Sequence, residues 1–150
     1  MADRTFTLDE AHTLLPVLES LLDHKGVPVV EGTCENGALR IKSDQTVPVC
    51  YRTSSGPACA VAPATIEVKA CPTWIEWNTG GMGYFHTKYS STAGIPPLDQ
   101  LTPPERLTLA LDLKWSIAKG ALKAEAADVL LKKLAEDPEP EVATAAKLDK

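Results

Sequence analysis

One stretch limits the folds open to this chain more than any other: residues 71–89, CPTWIEWNTGGMGYFHTKY. Trp74, Ile75 and Trp77, and after them Tyr84, Phe85, Thr87 and Tyr89, suit a pleated, half-buried surface. Between the two groups, Asn78-Thr79-Gly80-Gly81-Met82-Gly83 reads as turn, because glycine takes positive φ without steric cost. The expectation is an aromatic hairpin in a sheet core. Only 5% of the chain is aromatic, yet this stretch holds two of the three tryptophans and two of the three tyrosines. The remaining core must therefore be aliphatic.

The flanking sequence supplies more short strands. Residues 27–30, 38–42, 46–52, 58–61 and 65–69 are rich in Val, Ile, Thr and Ala and are bounded by turn residues. Glu35-Asn36-Gly37 predicts a tight turn, since Asn-Gly tolerates positive φ. Ser54-Ser55-Gly56-Pro57 predicts a loop. Pro48 predicts an edge or a bulge in the third strand, because proline cannot donate to a ladder. With the hairpin this makes about seven strands, the pattern of a small antiparallel β-sandwich.

Helical periodicity lies on either side. Thr7-Leu8-Asp9-Glu10 is a capping-box pattern that opens a helix over 7–25, with a break near 13–15 where Pro16 removes a backbone donor. Leu14, Leu15, Leu18, Leu21 and Leu22 share one face, and Gly26 ends the helix. After the connector at 90–100, Thr102-Pro103-Pro104-Glu105 is a strong helix start, and Gly120 is the stop. Leu107, Ala110, Leu111, Ile117 and Ala118 are the expected apolar stripe. A second helix is expected over 123–135, with Ala127, Leu130, Leu131 and Leu134 inward, and a third over 138–148. The fold class is thus α+β: an N-terminal helix, a small sandwich, then three antiparallel helices like the start of an α-solenoid.

Composition removes several function classes. The net charge of −5 argues against a sequence-independent grip on nucleic acid, which needs clustered Lys and Arg. No apolar run is long enough to cross a membrane, so no membrane partner is expected. Met1-Ala2-Asp3-Arg4 does not lead into an apolar segment, so no signal peptide is expected either. Localisation stays open, and is extracytoplasmic if the cysteines are bonded.

Cys34, Cys50, Cys59 and Cys71 all fall in the strand region, and no two have C-x-x-C spacing. Two disulfides, buried free thiols and a four-cysteine metal site remain open, and four cysteines allow three connectivities. His12, His24 and His86 cannot form H-E-x-x-H, and neither a G-x-S-x-G elbow nor a P-loop occurs. His86 is expected to alternate outward from the hairpin, and Asp112 and Lys114 to be solvated or to pair across helices. Glu136, Asp137, Glu139 and Glu141 are expected to cap a helix N-terminus. No catalytic or metal-ligating residue is predicted.

Four segments carry a resemblance. Leu22-Asp23-His24-Lys25-Gly26-Val27-Pro28-Val29-Val30 and Thr46-Val47-Pro48-Val49-Cys50 are the first two. Trp74-Ile75-Glu76-Trp77-Asn78-Thr79-Gly80-Gly81-Met82-Gly83-Tyr84-Phe85 is the most specific. Leu101-Thr102-Pro103-Pro104-Glu105-Arg106-Leu107, followed by Asp112, Trp115, Ala118 and Gly120, completes the set. In this order they resemble the C-terminal part of the M1 family of zinc aminopeptidases. His24, Lys25 and His86 depart from the family's usual Gln, Pro and Arg. The resemblance implies that residues 1–26 correspond to the end of a catalytic domain, 27–90 to a β-sandwich domain, and 101–150 to the start of a helical domain. It also implies a non-catalytic scaffold region whose zinc would be supplied elsewhere, with no cofactor in this chain. The expected partner is a catalytic domain or chain, or a second copy through the Leu14, Leu18, Leu21 and Leu22 face. The alternative is a stand-alone protein-interaction module.

Overall fold

In the computed structural model, which describes residues 26–147, Asn36 and Gly37 both take positive φ, 50° and 73°. That conformation matches the twist of the strands on either side and closes a two-residue hairpin. It joins β1 (Val29–Glu35) to β2 (Ala38–Ser43). A second hairpin joins β3 (Val47–Thr53) to β4 (Gly56–Ala62). Thr53 pairs with Gly56, so the expected four-residue loop is a tight turn at Ser54 and Ser55 alone. β5 (Ala64–Glu67) returns to the far edge of β2.

The aromatic stretch corrects the expectation most strongly, because it is not a hairpin. β6 (Ile75–Glu76) pairs with β3, whereas β7 (His86–Thr87) pairs with β1. The two aromatic arms therefore belong to different sheets, of order β5-β2-β1-β7 and β4-β3-β6. The β1–β7 pairing is parallel, the one departure from antiparallel order among the described strands. The reason lies in the connecting loop. Asn78 Oδ1 accepts from Gly83 N at 2.7 Å and Asn78 Nδ2 donates to Gly83 O at 3.2 Å, closing a six-residue ring that carries the chain across the sandwich. Inside that ring Gly81 has φ 65°, and a Cβ there would lie 2.9 Å from both Pro104 O and Thr108 Oγ1. The glycines serve this loop's close approach to a helix rather than a hairpin turn.

The two sheets enclose one core. Val30, Leu39 and Ile41 from the first meet Val47, Val49, Tyr51 and Ala62 from the second, with Ile75, Trp77 and Phe85 completing it. Trp77 lies under Gly32, where a Cβ would fall 2.0 Å from the ring, so this strand position admits no side chain. Pro48 sits on β3 away from the two residues that β6 pairs, Arg52 and Thr53, so its missing donor interrupts no ladder on that side.

Cys34 is bonded to Cys71 and Cys50 to Cys59, 37 and 9 residues apart in sequence. The first ties β1 to the start of the aromatic stretch; the second crosses the β3–β4 hairpin, whose pairing already holds it. Loop-closure entropy makes the longer loop count for more, within about 2–4 kcal/mol per bond. Replacing both Cys34 and Cys71 by serine is therefore expected to lower the urea midpoint more than the same change at Cys50 and Cys59. Equal shifts would contradict this.

Three helices follow: α1 (Pro103–Ala118), α2 (Ala124–Ala135) and α3 (Pro140–Ala146). The capping box at Thr102 and Glu105 is formed, and Gly120 follows the last turn of α1 with φ 75°. Leu101, Leu109, Ala110, Leu113, Leu122, Ala127, Leu131, Leu134, Val142 and Ala146 make a second core. Arg106 clamps this layer, reaching Asp137 through Nε at 2.6 Å and Nη2 at 3.2 Å and Leu101 O through Nη1 at 2.8 Å. The ion pair with Arg106 and an N–H from Glu139 outweigh the cost of burial and hold the Asp137 carboxyl below the usual range. The stripe expected on α1 holds in part: Ala110 is in the core with Leu107 and Ile117 packed against it, but Leu111 and Ala118 are exposed, and Glu105, Leu109, Asp112, Leu113 and Ser116 are buried instead. The helix expected over 7–25, with its leucine face and His12 and His24, lies outside the described residues.

Candidate functional site

Glu105, Asp112 and Ser116 recur at intervals of seven and four on α1, a spacing that sets them on one helix face. That face meets the sandwich, and the contact between the layers is a polar seam. Glu105, with its side chain 1% exposed, accepts from Arg52 Nη2 at 2.7 Å. It also accepts from Thr102 N at 2.9 Å and from Gly80 N at 3.0 Å. One carboxylate thus joins β3, the loop between the sheets and the helix cap. Arg52 is held in turn by Gln100 O at 2.8 Å and lies over the Trp74 ring at 5.4 Å. The N–H groups of Gly80 and Thr102 and the Arg52 guanidinium outweigh burial and hold the Glu105 carboxyl below its ordinary range.

Two other carboxyls are driven the opposite way. Glu76 is buried beside Glu105, and its pKa rises from 4.5 to about 8, chiefly because burial disfavours the charge. The N–H of Asn78, at 2.9 Å from Oε1, opposes that rise only in part. Asp112 is raised from 3.8 to about 6, again by burial, against the opposing pull of the Thr87 backbone N–H and of His86. Tyr89 is raised well above 10 by burial and by Asp112 and Glu76. Glu76 Oε2, Thr87 Oγ1 and Asp112 Oδ2 make no hydrogen bond to protein atoms, and the three residues line a cavity of about 10 Å³. That is room for about one water molecule.

His86 keeps 34% of its side chain exposed but packs back onto α1. Its Nδ1 lies 3.3 Å from Asp112 Oδ1, and its ring stacks on Trp115 with centroids 4.6 Å apart. Asp112 is correspondingly neither solvated nor paired within the helical layer; it is 3% exposed and faces β7. Lys114 donates to Lys147 O at 2.6 Å. Ser116 Oγ accepts from Tyr89 N at 2.9 Å and closes the far end of the seam. Of the C-terminal acids, Asp137 accepts from Glu139 N at 3.0 Å ahead of α3, but its main partner is Arg106.

The cysteines are spent in disulfides, which removes the thiolate metal site. Among the described residues, no group of three or more His, Cys, Asp or Glu is placed to hold a metal ion, and no helix is long and apolar enough to cross a membrane. Perturbed carboxyls often mark active sites, but buried ion networks perturb them equally. This cluster lies between the two layers and bonds one to the other. Sequence reasoning missed Arg52 and Glu76 altogether and assigned Glu105 only its cap. The signal available was the polar series 105, 112, 116 running beside Leu109 and Leu113.

A second feature is open to solvent. A groove of about 430 Å³ runs beside β1, between Gly32 and Cys34 on one wall and Trp74, Trp77, Tyr89 and Ile95 on the other.

Compared with protein-family models and with curated proteins, the chain matches none.

Proposed function

We propose that this chain is a non-catalytic scaffold region, akin to the C-terminal part of an M1 metalloaminopeptidase, that works within a chain or complex supplying the zinc site. The observation that carries the reading is the seam. Its charged and polar side chains bond one layer of the protein to the next: Glu105 to Arg52, Gly80 and Thr102, and Ser116 to Tyr89. A region built this way sets the angle between a sandwich and the helices beyond it. The four sequence segments that resemble the family lend support, since two of them supply Gly80 and Thr102 with Glu105.

The test is aminopeptidase turnover on a panel of aminoacyl-aminocoumarins, with metal analysis of the same sample. The purified chain is expected to show neither turnover nor stoichiometric zinc. The native polypeptide or complex that carries this sequence is expected to show both. Zinc with turnover in the isolated chain would overturn the scaffold reading, and a native complex with neither would overturn the aminopeptidase reading.

A further inference from the structure

The two disulfides differ in where their sulfurs stand. Cys50 and Cys59 lie directly opposite each other in the β3–β4 ladder. On β3 the inward positions are Val47, Val49 and Tyr51, all buried, so the alternate residue Cys50 faces out of the sandwich, and it is exposed. Its partner Cys59 is exposed as well. Among the described strands β4 is the edge of its sheet, with β3 on one side and no strand on the other.

Thiol–disulfide exchange is a displacement at sulfur, in which the incoming thiolate approaches along the S–S axis from the side opposite the sulfur that leaves. In this hairpin the axis runs from strand to strand. Its extension beyond Cys59 passes over β4 to the open edge of the sheet. Cys59 Sγ is therefore the sulfur a thiolate reaches in line, and Cys50 Sγ departs at an exposed position. The other bond gives no such path. Cys34 and Cys71 both line the open groove, but Cys34 is half-buried and packs against the sandwich core. Attack on Cys71 would expel a thiolate from Cys34 against apolar side chains, where its charge is disfavoured. The hairpin also outlasts its bond: residue pairs on both sides of the cysteines, from Val47 with Ala62 to Thr53 with Gly56, hold β3 to β4. Exchange at Cys50–Cys59 thus needs no unfolding.

We propose that Cys50–Cys59 is a thiol-exchange site that takes two electrons from a dithiol. The dithiol's thiolate bonds to Cys59 Sγ as the bond between Cys59 and Cys50 breaks, and Cys50 leaves as a thiolate that takes a proton from solvent. The second thiol of the dithiol, giving its proton to solvent, then displaces Cys59 from the mixed disulfide, and Cys59 is protonated in turn. The protein gains two electrons and two protons, and the dithiol is oxidised to its disulfide. Exposed disulfides are the labile and regulatory ones, whereas structural ones resist reduction. The reduced hairpin stays paired and presents two thiols on the outer face of the smaller sheet. The inference stands apart from the aminopeptidase reading, since it uses only this hairpin and its edge.

The experiment treats the full, oxidised chain with dithiothreitol under native conditions, traps free thiols with iodoacetamide at timed intervals and reads each cysteine by peptide mass spectrometry. Cys50 and Cys59 are expected to be alkylated about tenfold faster than Cys34 and Cys71. Urea below the unfolding transition is expected to leave that rate unchanged, and the product alkylated at those two positions is expected to keep the circular dichroism of the untreated chain. Glutathione, a monothiol, tests the direction of attack. Trypsin cleaves after Arg52 and so separates the two cysteines; the glutathionyl group is expected on Cys59 and the alkyl group on Cys50. Equal rates for the two bonds, earlier reduction of Cys34–Cys71, or a rate that climbs with urea would overturn the proposal. So would glutathione found mainly on Cys50, or loss of the strand signal once Cys50 and Cys59 are reduced.

Discussion

Replacing Glu105 by alanine is expected to lower stability by about 3–5 kcal/mol, the cost of breaking a buried ion pair by removing one partner. The carboxylate is the one group that meets Arg52, Gly80 N and Thr102 N together. Its loss leaves the Arg52 side chain, only 24% exposed, without its counter-charge, and removes half of the capping box on α1. Urea unfolding followed by circular dichroism and tryptophan fluorescence measures the effect. The pair Lys132–Asp128, on the surface of α2 at 2.8 Å, is the control, and Lys132→Ala is expected to leave the midpoint unmoved. Glu105→Gln separates charge from shape: it keeps one acceptor but not the ion pair, and its cost is expected to fall between the two. The pH dependence has a defined sign. The folded pKa of Glu105 is below its unfolded value, so its contribution is present above the unfolded value and lost as pH falls through the folded one. A cost under about 1 kcal/mol for Glu105→Ala would mean that apolar contacts alone hold the layers together.

Local rules carried the strands well. Asn36-Gly37 fixed its hairpin because only residues tolerant of positive φ fit a two-residue turn of that hand, and both positions do take positive φ. The strands from 38 to 67 followed because β-branched and small residues alternate there with turn residues between. Helix boundaries at Thr102 and Gly120 were legible for the same reason, since each is set by backbone chemistry within one turn.

What failed depended on partners distant in sequence. The aromatic stretch has every local mark of a hairpin, yet its arms pair with β3 and β1. Nothing within residues 71–89 reports that the open edges of two sheets wait on opposite sides. The Asn78–Gly83 ring uses the same residues a turn would use, and only its contact with Pro104 and Thr108 distinguishes it. The stripe on α1 was right at Leu107, Ala110 and Ile117 and failed at Leu111 and Ala118 for a related reason. Periodicity arguments assume that the buried face is apolar, whereas this helix faces a polar seam on one side and the helical core on the other. Asp112 was therefore expected to be solvated or to pair across helices, and His86 to face outward, while Glu105 was read only as a cap. The cysteine pairing was illegible because the Cys34–Cys71 bond spans the sheet, and sequence spacing alone leaves all three connectivities open.

Raising the pH from 5 to 9 is expected to destabilise this protein, and Glu76 is expected to account for most of the loss. Its carboxyl has a pKa of about 8 in the folded chain against 4.5 when exposed. The folded state therefore holds this proton more tightly than the unfolded state does. Stability from it is complete below 4.5 and declines as pH rises to about 8, by up to about 4–5 kcal/mol at roughly 1.4 kcal/mol per tenfold change in proton affinity. Asp112, raised to about 6, acts in the same direction over a lower range. Glu105 and Asp137, both held low, act in the opposite direction below their unfolded values. The sum is a stability maximum in mildly acidic solution. Urea midpoints measured at intervals across this range test it, with Glu76→Gln as the decisive variant. Glutamine keeps an acceptor for the Asn78 N–H and cannot ionise, so its curve is expected to flatten between pH 6 and 9 and to cross above the wild-type curve at the alkaline end. A Glu76→Gln curve parallel to the wild type would mean that Glu76 is ionised throughout, with Arg52 as its effective counter-charge. In that case the seam would hold two carboxylates against one guanidinium. The proton on Glu76 is what spares it that imbalance, and it makes the junction between sandwich and helices tighter in acid than in base.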